Sequence, residues 1–151
     1  MIAYVLQMVQ DIPEKQWYMT TEHCINSPGW CIGHITTECD HALMRIGKER
    51  VCPGTWDLYF LQGTQPEDNN GKLPKKSALI DAFQLSYKRF RQGAQKLTTE
   101  EVSQPSPSKS LKNFLPKYGD WLTHMLTTHI AMHAGNIATW RRVSGLVPIS
   151  Q

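Results

Sequence analysis

The amino-acid sequence predicts an all-α fold, a four-helix bundle that forms a single domain over residues 1–151. Three observations support this prediction. Apolar residues recur at intervals of three and four in four segments, proline and glycine gather between those segments, and the alternation around 56–61 is too short for a strand. A hydrophobic content of 40% in 151 residues is enough to build one core.

The first predicted helix covers about residues 2–10 and ends before Pro13, so it is short for a bundle helix. The second has stronger signals at both ends. Ser27 is a favoured N-cap residue and Pro28 suits the first helical position. Gly47 is a favoured residue just past a helix C-terminus, so the second helix is expected to end there.

The third predicted helix begins near Ser77 and carries one apolar stripe. The fourth begins at Asp120, a good N-cap residue, and is expected to run without interruption to about Ser144, before Gly145. The link over residues 48–76 is long for a compact domain, and long ordered links often pack over a functional site.

Charge and composition argue against several classes of protein. The formal net charge is only +3, and the basic residues occur as scattered pairs rather than as the stripe of a nucleic-acid-binding protein. No apolar run is long enough to span a membrane, and the opening residues lack the basic start and cleavage site of a signal peptide. A cytoplasmic location is therefore expected. The four cysteines contain no C-x-x-C pair and are expected to be reduced thiols: Cys24, Cys31, Cys39 and Cys52.

The sharpest chemical signal is the pair His129 and His133, which are four residues apart in the fourth predicted helix. Side chains at this spacing point the same way, so both imidazoles can reach one metal ion. Residue 130 is isoleucine, so the glutamate of the H-E-x-x-H metalloprotease motif is missing. Paired helical histidines are often only partly exposed side chains. This helix is apolar almost all round, however, and buried imidazoles need partners.

A third ligand has to come from another helix, and His34 is the leading candidate because it lies between two isoleucines in the second helix. The alternative for His34 is a core histidine bonded to a backbone carbonyl. Glu38, one turn later, is the nearest carboxylate that could orient an imidazole or accept a proton, and its alternative is a surface charge. His124 precedes His129 by five residues and is expected to point away from it.

Other residues near the last helix have two interpretations each. Gly135 costs roughly 1 kcal/mol relative to alanine inside a helix, which predicts close contact with a neighbouring helix beside the site. Arg141 or Arg142 could steer an anionic group of a substrate. Their alternative is a pair of charges that complement the helix dipole. Three tryptophans are expected in the core or at a dimer interface: Trp30, Trp121 and Trp140.

Two stretches resemble a known family. Residues 26–35 match its N-x-x-G-W-x-x-G-H opening of the second helix, and residues 129–137 match its H-x-x-x-H-x-G-Q closing helix, which the R-R-x-x-G pattern of residues 141–145 follows. Asn136 stands where glutamine is common. Together these motifs resemble the DinB/YfiT-like superfamily of metal-dependent enzymes, and the resemblance spans about residues 26–145.

The resemblance implies a bundle of up-down-down-up type and a metal triad of His34, His129 and His133. It also implies a homodimer, and a reaction that uses a low-molecular-weight thiol, because characterised relatives are bacillithiol S-transferases and a mycothiol-dependent isomerase. Zinc and nickel both accept three imidazoles, so either is the expected divalent ion. The favoured reaction is therefore transfer of a thiol to an electrophilic small molecule. The alternatives are metal-dependent hydrolysis with Glu38 as base, and a bundle that only binds a metal or small molecule.

Overall fold

The computed structural model describes residues 1–22, 26–64, 72–147 and 149. Within these residues the chain is all-α, with no named strand and an isolated bridge between Pro105 and Lys117. The α-helices are α1 (Ile2–Gln10), α2 (Pro28–Arg45), α3 (Asp57–Phe60), α4 (Lys76–Ala94), α5 (Thr99–Val102), α6 (Tyr118–Leu126) and α7 (Thr128–Val143). The all-α prediction is confirmed. No described helix combines the length and apolarity that crossing a membrane requires.

Helices α2 and α4 lie side by side and run in the same direction. Near the middle of both helices, the Ser86 hydroxyl donates a hydrogen bond of 2.7 Å to the Asp40 carboxylate. At their C-terminal ends, the Ile46 side chain lies over Gly93. The two contacts occur in the same order along both helices, so a long link must return the chain from the end of α2 to the start of α4.

The last two helices run antiparallel to α2. The Arg45 guanidinium, at the end of α2, lies over the Trp121 ring at the start of α6. The Trp30 ring, at the start of α2, lies 5.9 Å from the His133 ring in α7. This reversed order places the histidines of α7 opposite the first half of α2.

Helix α1 runs parallel to α7, which completes the predicted up-down-down-up order. Arg141 of α7 donates a hydrogen bond of 2.7 Å to the Met8 carbonyl of α1. Tyr4 and Ala138, about one turn earlier in each helix, line the same groove. The predicted bundle is therefore present, with α6 and α7 together as its fourth member.

The start of α2 forms as the sequence predicts. The Ser27 hydroxyl accepts a hydrogen bond from the Trp30 backbone N–H at 3.2 Å, and Pro28 occupies the first helical position. The helix ends at Arg45, and Gly47 follows with φ +72°, a conformation that residues with a side chain rarely adopt. The N-cap therefore sets the first residue of α2 at Pro28, and His34 lies six residues after it.

The fourth predicted helix is not continuous, so the prediction of one helix over residues 120–144 is wrong. At Thr127 the backbone has φ −132° and ψ −79°, and a new helix begins at Thr128. The Thr127 hydroxyl donates to the Thr123 carbonyl at 2.6 Å, while its backbone N–H bonds the His124 carbonyl three residues back. Such competing hydrogen bonds from threonine interrupt helices, and hydrophobic periodicity does not reveal them.

The described part of the long link is held against α2 by the buried carboxylate of Asp40. Asp40 accepts hydrogen bonds from the backbone N–H groups of Val51 at 2.9 Å and Cys52 at 2.7 Å. This attachment directs the following residues across α2 and brings Phe60 to its first half. The predicted packing of the link over the candidate site is confirmed for this part, whereas residues 65–71 lie outside the described residues.

Three of the four predicted reduced thiols are buried: Cys31, Cys39 and Cys52. Cys39 and Cys52 are buried and form no disulfide within the described residues. Burial, with a hydrogen bond to Asp40, raises the pKa of the Cys52 thiol to about 12, so this thiol stays protonated at neutral pH. Cys31 is also buried, and Cys24 lies outside the described residues.

Candidate metal centre

Three imidazole rings from α2 and α7 meet inside the bundle. The Nε2 atom of His129 lies 3.3 Å from the Nε2 atom of His34 and 3.3 Å from that of His133. Each histidine offers a ligand atom, and these three atoms lie within 4.8 Å of one another. The structure thus brings together the three residues that the sequence selects as ligands.

Two of the three distances between these nitrogens have the length expected on a tetrahedral metal ion. A zinc–imidazole bond is about 2.0–2.1 Å, so two nitrogens on one tetrahedral ion lie about 3.3–3.4 Å apart. The distances from His129 Nε2 to the Nε2 atoms of His34 and His133 are both 3.3 Å. The donor set therefore fits zinc, nickel or another ion that accepts neutral imidazoles.

His34 is held with its Nε2 lone pair facing the cluster. Its Nδ1 atom lies 2.7 Å from the backbone carbonyl oxygen of Phe60. A carbonyl only accepts hydrogen bonds, so Nδ1 carries the proton and Nε2 keeps a lone pair. The sequence leaves two alternatives for His34: a core histidine bonded to a backbone carbonyl, or a metal ligand. The structure shows the carbonyl bond, and that bond leaves the second nitrogen available to a metal.

A tryptophan fixes the plane of the His34 ring. The Trp30 ring stacks on it with centroids 4.7 Å apart and an interplanar angle of 6°. The Trp30 indole N–H donates a hydrogen bond of 3.1 Å to the Thr64 hydroxyl. This hydroxyl lies 2.8 Å from the Tyr59 carbonyl and 2.7 Å from the Leu61 carbonyl, so Trp30 also ties down the turn around Phe60.

Two glycines of the N-x-x-G-W-x-x-G-H motif allow this arrangement. A Cβ atom on Gly33 would lie 2.4 Å from the Phe60 ring, and one on Gly29 would lie 2.5 Å from the Tyr18 ring. Both distances are far below van der Waals contact. The motif therefore combines one ligand, His34, with two positions where neighbouring aromatic rings contact the helix backbone.

Burial keeps the histidines of α7 neutral. Burial, together with the neighbouring imidazoles, lowers the pKa of His129 to about 3 and that of His133 to about 4. Neutral imidazoles have lone pairs for a metal at neutral pH. The Nδ1 atoms of both residues are buried and have no hydrogen-bond partner within the described residues.

The break between α6 and α7 brings a fourth histidine close to the cluster. The His124 ring centroid lies 5.8 Å from that of His129, and His124 Nδ1 lies 3.0 Å from the Thr128 hydroxyl. The expectation that His124 points away from His129 is therefore wrong. It assumed the regular angle of 100° per residue, which the break at Thr127 changes.

Arg141 is not available to bind an anionic substrate, because its terminal N–H groups already have acceptors in the protein. All four of its terminal N–H bonds have acceptors: the two carboxylate oxygens of Asp11 and the carbonyls of Met8 and Val147. The side chain is buried and holds α1 and the C-terminal residues against α7. These contacts give Arg141 a structural role, and they lend no support to the predicted role in steering substrate.

Glu38 lies one turn beyond His34 on α2 and is partly exposed. Among the described residues it forms no hydrogen bond or salt bridge, and the cluster of candidate ligands there contains no carboxylate. Its predicted role as a proton acceptor stays a prediction.

Gly135 does not contact a neighbouring helix, so the prediction of close packing there is wrong. It is exposed, and a Cβ atom added to it would have nothing within 4 Å among the described residues. Packing within one chain therefore does not explain why a glycine, which destabilises a helix relative to alanine, occupies this position.

Trp30, Phe60 and Thr64 are the residues that sequence reasoning did not assign to the site. The spacing of Trp30 and His34, four residues apart in one helix, was a usable signal for stacking. The Phe60 carbonyl carried no such signal, because any residue has a backbone carbonyl. The other two predicted core tryptophans, Trp121 and Trp140, are buried.

The fold and the site define a class of protein, an all-helical bundle with three histidines from two helices around one buried point. The chain belongs to the DinB superfamily, whose family model matches residues 1–137. The matched region contains all three histidines. A search of curated proteins found no match to this chain.

Proposed function

We propose that the protein binds one divalent ion, zinc or nickel, through His34, His129 and His133, and transfers a low-molecular-weight thiol to an electrophilic small molecule. The observation that carries the metal site is the convergence of three histidines, in which His129 Nε2 lies 3.3 Å from the Nε2 atoms of both His34 and His133. Membership of the DinB superfamily supports the same site. Three protein ligands leave an open position on a four-coordinate ion, as in catalytic zinc sites.

The chain's own residues prepare the site before any ligand arrives. The Phe60 carbonyl holds the proton of His34 on Nδ1, and the Trp30 ring restricts rotation of the imidazole. Burial keeps His129 and His133 neutral, so protons compete weakly for their lone pairs at neutral pH. A bound divalent ion supplies Lewis acidity, which lowers the pKa of a thiol or water molecule that reaches it.

Thiol transfer is placed ahead of hydrolysis because of the resemblance to thiol-dependent relatives, and not because of the composition of the cluster. Among the described residues, no carboxylate joins the three histidines. A metal held by three imidazoles lowers the pKa of a bound thiol and of bound water alike. Hydrolysis with Glu38 as base would require that partly exposed side chain to turn towards the cluster. The homodimer and the cytoplasmic location remain proposals alongside this function.

The metal site is tested by elemental analysis of protein purified without a histidine tag. We expect about one zinc or nickel ion per chain in the unaltered protein, and at least a tenfold loss in His133→Ala. His41→Ala is the matched control, because His41 lies two turns beyond His34 and bonds Asp57 instead. Equal metal content in the unaltered protein and His133→Ala would overturn the site.

The reaction is tested by incubating the metal-loaded protein with an alkylating electrophile, with and without low-molecular-weight thiols. Loss of electrophile only with a thiol, and only in protein with an intact triad, is the expected result. Loss without a thiol would replace transfer by hydrolysis. No turnover with either would leave a protein that only binds a metal or small molecule.

A further inference from the structure

Helix α3 is a single turn that supplies the carbonyl to which His34 is bonded. It contains four residues, Asp57–Phe60, and the carbonyl oxygen of its last residue lies 2.7 Å from His34 Nδ1. One helical turn is not stable by itself. The position of α3 is therefore set by its contacts with the rest of the chain.

The C-terminal end of α3 is attached to the first half of α2. The Phe60 ring is buried against Gly33, and the Thr64 hydroxyl bonds the carbonyls on either side of Phe60 in the chain. Carbonyl groups of a helix point roughly along its axis. The direction of the Phe60 carbonyl thus depends on the axis of α3, and one attached end does not fix an axis.

The other end of α3 is held by an arginine of the link. Arg50 donates two hydrogen bonds to the carboxylate of Asp57, of 2.8 Å to Oδ1 and 3.2 Å to Oδ2. A bidentate pair restricts direction as well as distance. Both side chains are largely buried, with exposed fractions of 22% and 25%. The Arg50 hydrogen bonds hold the pKa of Asp57 below its usual range, so the carboxylate is charged at neutral pH.

Arg50 is itself anchored to α2. Its Nε atom lies 3.8 Å from Oδ2 of Asp40, a fully buried carboxylate that also accepts the backbone N–H groups of the next two residues of the link. Asp40 follows His34 by six residues in α2. Helix α2 therefore carries His34 directly, and it holds the hydrogen-bond acceptor of His34 through Asp40, Arg50 and α3.

We propose that Arg50 and Asp57 are positioning residues for His34. They orient α3 so that the Phe60 carbonyl keeps the proton of His34 on Nδ1 and leaves the Nε2 lone pair to the metal. Neither side chain belongs to the cluster of candidate ligands, so their effect passes through Phe60. This inference rests on the proposed metal site, in which His34 Nε2 is a ligand.

The test begins with the metal-free protein, in which ¹H–¹⁵N NMR of the histidine rings reports the tautomer of His34. We expect one tautomer, protonated on Nδ1, in the unaltered chain and a mixture of both tautomers in Asp57→Ala. Competition with a zinc chelator should show about tenfold weaker binding in Asp57→Ala. Arg50→Lys should also weaken binding, because lysine keeps the charge but cannot form the bidentate pair.

Two variants serve as controls. Ser86→Ala removes the hydrogen bond to Oδ1 of Asp40, whereas the link is bonded to Oδ2, so stability should fall while the His34 tautomer and zinc affinity stay unchanged. His41→Ala removes one of the three hydrogen bonds to Asp57 and keeps both bonds from Arg50, so zinc affinity should again be retained.

The outcomes separate this proposal from the metal site itself. A single Nδ1 tautomer with unchanged zinc affinity in Asp57→Ala, or in Arg50→Lys if Asp57→Ala folds poorly, would overturn the positioning role and leave the metal site intact. Equal effects in Ser86→Ala and Asp57→Ala would also overturn it, since lost stability would explain both. If the unaltered chain binds no zinc, the proposed function fails, and the tautomer in the metal-free variants still decides whether Arg50 and Asp57 position His34.

Discussion

A single backbone carbonyl determines how His34 can act. A neutral imidazole has one protonated nitrogen, and the hydrogen bond from Nδ1 to the Phe60 carbonyl decides which one it is. The stacked ring of Trp30 then holds the imidazole in one plane. The orientation of this ligand depends on contacts with the link before α4, and not on α2 alone.

The approach of Phe60 to α2 leads to a prediction for Gly33→Ala. The added methyl group would lie within 2.4 Å of the Phe60 ring, so Phe60 and its carbonyl must move away from His34. We expect a loss of stability of about 1–3 kcal/mol from overpacking, and about tenfold weaker zinc binding from the lost orientation of His34. Urea unfolding and competition with a zinc chelator measure the two effects. Unchanged zinc affinity in the folded variant would show that the Phe60 contact does not position the ligand.

Gly135→Ala is the matched substitution, since it also adds a methyl group to a helical glycine. It meets no atom within 4 Å among the described residues, so only helix propensity changes. We expect stabilisation by about 0.5–1 kcal/mol, measured by urea unfolding, with zinc binding unchanged. A destabilised variant would contradict this, and would indicate that a second chain packs on this face of α7.

At the scale of elements, α1 is attached to α7 by one buried arginine. Arg141 bonds the Asp11 carboxylate and the Met8 carbonyl, and it also reaches the carbonyl of Val147. A helix of nine residues is marginal on its own, so its place in the bundle depends on packing and on this attachment. The short α1 is thus held in its place beside α7 by the contacts of Arg141.

This attachment predicts a pH-dependent effect of Asp11→Asn. The Arg141 hydrogen bonds hold the pKa of Asp11 below its usual value, so the carboxylate stabilises the fold above the unfolded pKa near 3.8. That stabilisation is lost as pH falls through the lower folded pKa. Because 52% of the Asp11 side chain is exposed and solvent screens the pair, we expect Asn to cost about 0.5–1 kcal/mol at pH 7. Urea unfolding at pH 7 and at pH 3 is the measurement, and an equal cost at both pH values would contradict the ion-pair explanation.

The break between α6 and α7 at Thr127 also affects the site. It ends α6 at Leu126 and starts α7 at Thr128, and His124 of α6 lies beside His129 of α7. The sequence contains adjacent threonines at 127 and 128, but threonine occurs in many unbroken helices. The hydrogen bond from the Thr127 hydroxyl to the Thr123 carbonyl accompanies the break in the folded chain, but the adjacent threonines alone do not predict it.

At the scale of the whole molecule, the histidine cluster joins α2 to α7 across the core. A metal that binds this cluster only in the folded state stabilises the whole bundle. We expect zinc at about 1,000 times its dissociation constant to raise the free energy of unfolding by about 4 kcal/mol, and a chelator to reverse this. Thermal unfolding at several zinc concentrations provides the measurement.

His34→Gln is the variant that completes this thermal experiment. It removes the only cluster ligand of α2 and leaves His129 and His133 in place. We expect the zinc-dependent rise of the unfolding temperature to disappear in this variant, because two histidines of one helix cannot join two helices. A rise equal to that of the unaltered protein would place the metal elsewhere.

The sequence by itself determined the class of the fold, the capped start of α2 and the three candidate ligands. These features depend on local rules: the period of apolar residues, the chemistry of Ser27 and Pro28 at a helix start, and the spacing of His129 and His133. Only the tertiary structure decided the break at Thr127, the open surroundings of Gly135, the contact of Phe60 with His34 and the burial of Arg141. The break has local hydrogen bonds, but threonines in unbroken helices can form the same ones, so they leave no distinctive signal. The other features depend on residues far apart in the chain, whose packing outweighs local preferences and leaves no periodic signal in the sequence.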